Sequence, residues 1–174
     1  MADYRRPCNR IVGGVAQEAL AQDKCQRKLD NSAAESKYTE QHVMDVGDVE
    51  GHQIRIFELH RTFATDQPNC EGRKRKEIWT HGYSDYINLN GRAWGYTVIT
   101  FDNGDKIFAE YSGASQTVVT EGDRKQSIYV GVTTYTGGTG IYQGVRGISR
   151  DRVRFDPVAN VNIQEQEEEY WITK

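Results

Sequence analysis

Several features that often identify a function are missing from this chain of 174 residues. No apolar run approaches the roughly 18 residues of a membrane-spanning helix, and the N-terminal stretch MADYRRPCNR contains no apolar signal-peptide core. There is no excess of basic residues, since the formal net charge is −3. We therefore expect neither a membrane nor a nucleic acid as a partner.

Cysteine and histidine are too scattered for a metal site of familiar spacing. Cys8, Cys25 and Cys70 form no CxxC motif, and the four histidines do not supply the missing ligands at zinc-finger spacing. We therefore expect no bound metal. Three reduced thiols in the cytoplasm are the expected state. The alternative is an exported protein, with its signal peptide removed, in which Cys8 pairs with Cys25.

The N-terminal part differs in composition from the rest. The segment from Val15 to Asp30, VAQEALAQDKCQRKLD, is rich in good helix formers and predicts one helix outside the main body. A polar connection, NSAAESKYTE, follows it. We therefore divide the chain into an N-terminal helical extension, residues 1–40, and a β-rich domain, residues 41–174.

Segments rich in β-branched and aromatic residues follow one another through the second part. They cover residues 52–64, 77–89, 92–101, 105–119, 127–136, 145–155 and 160–173, with 42–46 as an eighth candidate. Turn sequences containing Asn-Gly, NLNG at 88–91 and FDNGD at 101–105, predict hairpins between them. Consecutive hairpins form an antiparallel meander, and closure removes its exposed edges. The sequence thus predicts an all-β fold, a closed antiparallel eight-stranded barrel.

A glycine-rich segment, YTGGTGIYQGVRG, spans Tyr135 to Gly147. A phosphate-binding glycine loop requires a helix directly behind it. The following residues, VRGISRDRVRF, instead predict another strand, so we expect no nucleotide site. The glycines are expected to turn the chain at a barrel corner.

This segment resembles the "ITGGxGxFxGxxG" stretch of the allene oxide cyclase family and the "GTGxFxxxxG" stretch of dirigent proteins. GYTVITFDNGDKIFAEYSG (95–113) and IRIFELHR (54–61) are similar to strands of the same family, so the resemblance covers roughly residues 50–156. It implies an eight-stranded barrel around an apolar cavity and no metal or organic cofactor. It also implies a homo-oligomer, a trimer or dimer.

The strand HQIRIFELHR carries the candidate catalytic groups. Alternation places Ile56, Glu58 and His60 on one face and Arg55 and Arg61 on the other. We expect the arginines to point outward and Glu58 inward, where desolvation would disfavour its charged form and let it act as a general acid or base. An exposed glutamate paired with an arginine is the alternative. By the resemblance, Glu58 matches a carboxylate that assists ring opening, whereas His60 replaces an asparagine.

Aromatic side chains on the following strands are candidates for holding a substrate. The predicted binding residues are Ile56, Trp79, His81, Tyr83, Tyr96, Tyr111 and Tyr135. If the face of the second strand points outward, its aromatics are surface or interface residues, and the later tyrosines can serve as packing alone.

The sequence therefore predicts a cofactor-independent isomerase, cyclase or lyase acting on a small apolar oxygenated molecule, with Glu58 and His60 as catalytic residues. A ligand-binding or dirigent-type barrel without chemistry is the second hypothesis. A cupin-type metal enzyme using His52, His60, His81 and Glu58 is the third, and the missing HxH motif disfavours it.

Overall fold

The computed structural model describes residues 23–31, 35–120, 124–156 and 161–173. They form one antiparallel sheet of nine strands. The strands are β1 Cys25–Asp30, β2 Glu35–Asp45, β3 His52–Thr62, β4 Arg75–Ile87, β5 Asn90–Phe101, β6 Lys106–Thr120, β7 Arg124–Gly138, β8 Val145–Asp156 and β9 Val161–Ile172. A 3-10 helix, Gly140–Tyr142, lies between β7 and β8. The all-β class is confirmed, and each predicted segment from 52 to 173 contains a strand.

The hydrogen-bonded ladder does not close into a barrel. Its order is β1-β9-β8-β7-β6-β5-β4-β3-β2, so β1 and β2 are the two edges of the sheet. The predicted closed eight-stranded barrel is therefore not supported. A ninth strand, β1, pairs with the outer edge of β9. To close an eight-stranded barrel, β2 would have to pair with that same edge.

The sheet nevertheless curls strongly enough to enclose an interior. Arg61 on β3 donates to the side-chain oxygens of Gln164 and Asn162 on β9. Asn162 in turn donates to the hydroxyl of Tyr38 on β2, 3.4 Å away. Side chains therefore join the two ends of the sheet where backbone hydrogen bonds do not.

The helix predicted from Val15 to Asp30 is wrong at its C-terminal end, because Cys25–Asp30 is strand β1. Its earlier part, up to residue 22, lies outside the described residues, and no α-helix occurs in the ranges that are described. Alternating burial explains the strand, since Cys25 and Leu29 face inward and the lysine between them faces out. Helix propensity is a weak signal, and edge pairing with β9 overrides it here.

A disulfide joins Cys25 on β1 to Cys70 in the loop between β3 and β4. The expectation of three free thiols is therefore wrong, and so is the alternative pairing of Cys25 with Cys8. Their separation of 45 residues gives no local sequence signal. The two cysteines meet because the curl of the sheet brings its β1 edge to this loop.

The interior has two apolar clusters. The first contains Cys25, Ile78, Ile99, Phe101, Ile107, Ala109, Tyr135, Tyr142, Val145 and Tyr170. The second contains Tyr86, Ala93, Tyr129 and Phe155. Along β8, Ser149 and Asp151 lie between the residues that belong to the two clusters and are themselves buried. The interior is therefore apolar at both ends and polar between them.

The glycine-rich segment closes one end of this interior. β7 ends at Gly138, and Gly140 has a φ of +54°, a left-handed conformation that favours glycine. Tyr142 follows, fully buried, with its ring 4.3 Å from that of Phe101. The chain then enters β8. The predicted turn followed by a strand is confirmed, and the helix that a nucleotide loop requires is not there.

Candidate functional site

The two faces of β3 are reversed relative to the prediction. Arg55 and Arg61 are 8% and 4% exposed and face the interior, whereas Glu58 and His60 are on the outer face and only partly buried. The inward placement of Glu58 is therefore wrong. Side chains of β2 and β9 supply oxygen acceptors for both buried guanidinium groups, and the alternation within one strand cannot reveal such partners.

Most predicted site residues lie together on this outer face, as cross-strand neighbours on β3, β4 and β5. They are Ile56, Glu58, His60, Trp79, His81, Tyr83 and Tyr96. Nδ1 of His81 is 3.4 Å from Oε2 of Glu58. Glu58 and His60 were predicted inside the barrel and lie outside it, whereas for Trp79, His81 and Tyr83 the outward placement is one of the two alternatives that the sequence left open.

The two predicted catalytic residues already have protein partners. Glu58 accepts a 2.6 Å hydrogen bond from the hydroxyl of Thr39. The ring of His60 stacks on Trp79 at 3.9 Å, and its Nε2 is 2.9 Å from Oε2 of Glu77. This hydrogen bond lowers the pKa of the Glu77 carboxyl. These contacts are typical of a surface network that ties β2, β3 and β4 together.

A cavity of about 90 Å³ lies inside the curled sheet. Its aromatic lining consists of Tyr38, Phe57, Tyr86, Tyr111, Tyr129 and Phe155. Charged and amide side chains line the remaining wall, among them Arg55, Arg61, Asp151 and Gln164. An apolar lining with a few convergent polar groups is common in small-molecule sites, but this cavity is smaller than the roughly 300–1,000 Å³ of most of them.

Glycines on the inner face make room for the large rings. A Cβ added at Gly82 would lie 2.2 Å from the hydroxyl oxygen of Tyr111 and 2.3 Å from the ring of Phe57. A Cβ at Gly131 would lie 2.1 Å from the hydroxyl oxygen of Tyr129. Any larger residue at these positions would displace the aromatic lining, so the shape of the cavity depends on both glycines.

The hydroxyls of Tyr111 and Tyr129 are buried without a hydrogen-bond partner among the described residues. Their rings contact each other edge to face, with centroids 6.4 Å apart. Burial raises the pKa of both phenols, and the negative charge of Asp151 adds to the increase at Tyr129. Both groups are therefore neutral donors throughout the physiological pH range.

Tyr135, also predicted to bind substrate, is buried elsewhere in the interior. Its hydroxyl donates a 2.5 Å hydrogen bond to Oε2 of Glu168, and it belongs to the first apolar cluster. The residue is fully engaged with the protein. Of the predicted binding residues, Tyr111 alone lines the cavity.

Asp151 is a buried carboxylate, 4% exposed, in the polar middle of the interior. It accepts hydrogen bonds from the hydroxyls of Thr133 and Ser149, at 2.5 and 2.9 Å. The side-chain amides of Gln164 and Gln166 donate to it as well, at 3.2 and 2.8 Å. With so many donors satisfied, this carboxylate is a structural centre and a poor candidate for a general base.

Arg61 crosses the interior and holds β9 against β2 and β3. It donates to the hydroxyl of Ser36 at 3.0 Å and to the amide oxygens of Gln164 and Asn162. Burial, and then the positive charge of Arg75, lower the pKa of Arg61 to about 10. The group is therefore still charged at neutral pH.

Sequence reasoning missed Arg55, Arg61, Tyr129 and Asp151 as cavity residues. One signal was available on β8, where Arg150, Arg152 and Arg154 occupy alternate positions. A face with an arginine at every second position belongs in solvent, which places Asp151 inside. On β3 both faces carry charged residues, so no comparable signal exists there.

Within the described ranges, no group of three or more His, Cys, Asp or Glu side chains is placed to hold a metal ion. No helix in the described part of the chain has the length and hydropathy to span a membrane.

Comparison of the chain with protein-family models, curated proteins and solved structures finds no match. The resemblance to allene oxide cyclases therefore rests on the sequence segments alone.

Proposed function

We propose that this protein binds a small, largely apolar molecule with a hydrogen-bond-accepting oxygen in the cavity inside the sheet. The observation that carries this proposal is the pair of buried hydroxyls on Tyr111 and Tyr129 without protein partners. Leaving a buried donor unsatisfied costs roughly 1–3 kcal/mol. Phenylalanine would fill the same space without that cost, and a ligand oxygen supplies what the protein does not.

The proposal is tested with acetophenone and ethylbenzene, which share a skeleton and differ in the carbonyl oxygen. We expect wild-type protein to bind acetophenone about tenfold more tightly, as one additional hydrogen bond provides, in titrations followed by NMR. Tyr111→Phe and Tyr129→Phe should each reduce this preference without loss of thermal stability.

Tyr135→Phe is the matched control, since it removes a buried hydroxyl that already has a partner in Glu168. This variant should keep the preference for acetophenone and lose stability, by about 1–3 kcal/mol. Equal affinities for the two compounds in wild-type protein would contradict the proposal, and so would an unchanged preference in both cavity variants.

Catalysis in the same cavity is the second candidate, and it would make the protein an isomerase, cyclase or lyase. Two neutral donors with raised pKa values can stabilise negative charge that develops on a substrate oxygen. In this candidate Tyr111 and Tyr129 are the catalytic residues, instead of Glu58 and His60, which the sequence predicted. Conversion of styrene oxide to an isomeric aldehyde, lost in Tyr129→Phe and kept in Glu58→Gln, would support this candidate. Loss of this conversion in Glu58→Gln alone would instead place the catalytic residues on the outer face.

We also propose that the protein is a homo-oligomer whose copies meet on the outer face of β3 to β7. Large side chains are exposed there, among them Ile56, Tyr83, Tyr96 and Val132 at 50%, 40%, 57% and 42%. Exposed apolar patches of this kind mark interaction surfaces. Arg92 and Glu110 on the same face carry opposite charges and can pair between copies. The Cys25–Cys70 disulfide supports an oxidising compartment over the cytoplasm.

A further inference from the structure

Arg55 is a buried cation with an unfilled hydrogen-bonding edge. Its side chain lies against the faces of Tyr38 and Phe57, with the guanidinium carbon 5.5 and 4.9 Å from the ring centroids. Nη1 donates to Oε1 of Gln41 at 2.9 Å, whereas Nε is buried without a partner. No described residue accepts a hydrogen bond from Nη2. The edge formed by Nε and Nη2 is therefore free.

The charges that line the cavity do not balance. Arg55, Arg61 and Asp151 are its charged lining residues. Arg61 and Asp151 act on each other electrostatically, and each also has several neutral hydrogen-bond partners. A buried charge is normally paired. Neither arginine has a carboxylate within salt-bridge distance among the described residues, but Arg61 has three oxygen acceptors whereas Arg55 has one, so Arg55 is the less satisfied cation.

Arg55 also lies where a ligand can reach both the cavity and a wider space beside it. A neighbouring groove of about 490 Å³ shares Arg55 and Tyr86 with the cavity lining. Arg55 and Tyr111 both line the cavity. Cation and phenol therefore belong to one site.

We propose that the ligand of this cavity is an anion, a small apolar molecule with a carboxylate that pairs with Arg55. The free edge of the guanidinium presents two parallel N–H donors, the geometry that matches the two oxygens of a carboxylate. The aromatic lining then holds the apolar part of the molecule. This inference rests on the proposed binding function and specifies the chemical class of the ligand.

The test compares benzoate with benzamide, which have nearly the same shape and differ in charge. We expect wild-type protein at neutral pH to bind benzoate at least about tenfold more tightly, as a charge-assisted pair provides. Arg55→Gln should abolish the preference, because it retains hydrogen-bonding capacity and removes the charge. Arg55→Lys should retain part of it, because the charge remains and the paired donors are lost.

Arg152→Gln is the matched control, since it removes an exposed arginine from the outer face of β8, away from both the cavity and the proposed contact surface. It should keep the preference for benzoate. NMR spectra of each variant establish whether it is folded. If Arg55→Gln does not fold, Arg55→Lys tests the proposal in its place.

The results distinguish a failure of the anionic-ligand proposal from a failure of the binding function on which it rests. Binding of acetophenone without a preference for benzoate would overturn the anionic ligand and leave the binding function in place. Failure of acetophenone to bind would overturn the binding function itself. A preference for benzoate that survives in both Arg55 variants would place the anion elsewhere and contradict the assignment to Arg55.

Discussion

The tyrosines of the interior differ in what their hydroxyls contact. Tyr135 donates to Glu168, and Tyr142 accepts a 2.6 Å hydrogen bond from an asparagine amide. Tyr111 and Tyr129 have no such partner. All are aromatic residues of a β-rich sequence, so composition does not separate them. The missing partners, which require the packed interior to be known, distinguish Tyr111 and Tyr129 from Tyr135 and Tyr142.

His52, the first residue of β3, hydrogen-bonds to two carboxylates. One lies in the turn that precedes β3, and the other lies on β4. Its Nε2 is 2.8 Å from Oδ1 of Asp85 and its Nδ1 is 2.6 Å from Oδ1 of Asp48. The hydrogen bonds to Asp85 and then Asp48 raise the pKa of His52 above 6.5, and the bond to His52 lowers the pKa of Asp48. A group whose pKa is higher in the folded than in the unfolded protein stabilises the fold. That stabilisation is complete at pH values below the unfolded-state pKa and is lost as the pH rises through the folded-state pKa.

We therefore expect stability to fall as pH rises above about 6.5, in urea unfolding measured at several pH values. Both carboxylates are about half exposed, at 55% and 51%, so added salt should weaken the effect. Asp85→Asn and His52→Asn should each flatten this pH dependence. A His52 imidazole that titrates at or below the ordinary value in NMR spectra would contradict the prediction.

At the scale of the elements, sequence patterns predicted strands well and their faces poorly. Alternation and turn residues located every strand from β3 to β9, because those signals are local. The two-residue turn before β5 uses Asn88 and Leu89, with φ of +51° and +65°, and not the Asn-Gly pair that follows. A leucine in this conformation is rare, so turn propensity alone does not predict it.

The faces of β3 required knowledge of distant strands. Arg55 and Arg61 are buried because Gln41 on β2 and Gln164 on β9 accept their hydrogen bonds. Gln41 lies 14 residues from Arg55 and Gln164 lies 103 residues from Arg61, and the alternation within β3 reveals neither partner. Glu58 and His60 were assigned to the wrong side of the sheet, since a one-residue change of face moves every side chain of a strand together.

The edge strand β1 is held to the rest of the protein in two ways. It pairs with β9 alone and is fixed to the loop after β3 by the Cys25–Cys70 bond. In the chain-entropy description, a closed loop of this length stabilises the fold by about 4 kcal/mol. We expect Cys70→Ser to lower stability by roughly 2–4 kcal/mol and the β1 amides to exchange faster than those of β5.

Cys8→Ser is the control for this variant, because it removes a cysteine and leaves the disulfide unchanged. It should have wild-type stability. A Cys70→Ser protein as stable as wild type, with unchanged exchange in β1, would show that the disulfide does not hold the edge of the sheet.

At the scale of the whole molecule, the outer surface has two different parts. On β8, β9 and β1 it is charged, with Arg150 and Lys28 both opposite Glu167 across neighbouring strands. On β3 to β7 large apolar and aromatic side chains such as Ile56, Tyr83, Tyr96 and Val132 are exposed among charged ones. Paired charges are well solvated, whereas contiguous exposed apolar side chains favour association. This division favours self-association through the apolar part.

Sedimentation measurements test this association. We expect wild-type protein to sediment as an oligomer, and Tyr96→Glu to shift the distribution towards monomer because it adds a second carboxylate beside Glu110, its cross-strand neighbour, on the proposed contact surface. Tyr96 is 57% exposed, so the variant should fold normally. Glu167→Gln, in the charged part, should sediment like wild type. A monomeric wild-type protein at all concentrations would contradict this prediction.

We propose that this protein binds its ligand inside the sheet and not on the outer face. The most direct measurement maps chemical-shift changes during titration with acetophenone. We expect the changes at inward residues of the cavity wall, such as Ala93, Thr97 and Val153. Changes centred instead on Ile56, Glu58 and His81 would place the ligand on the outer face and overturn the proposal.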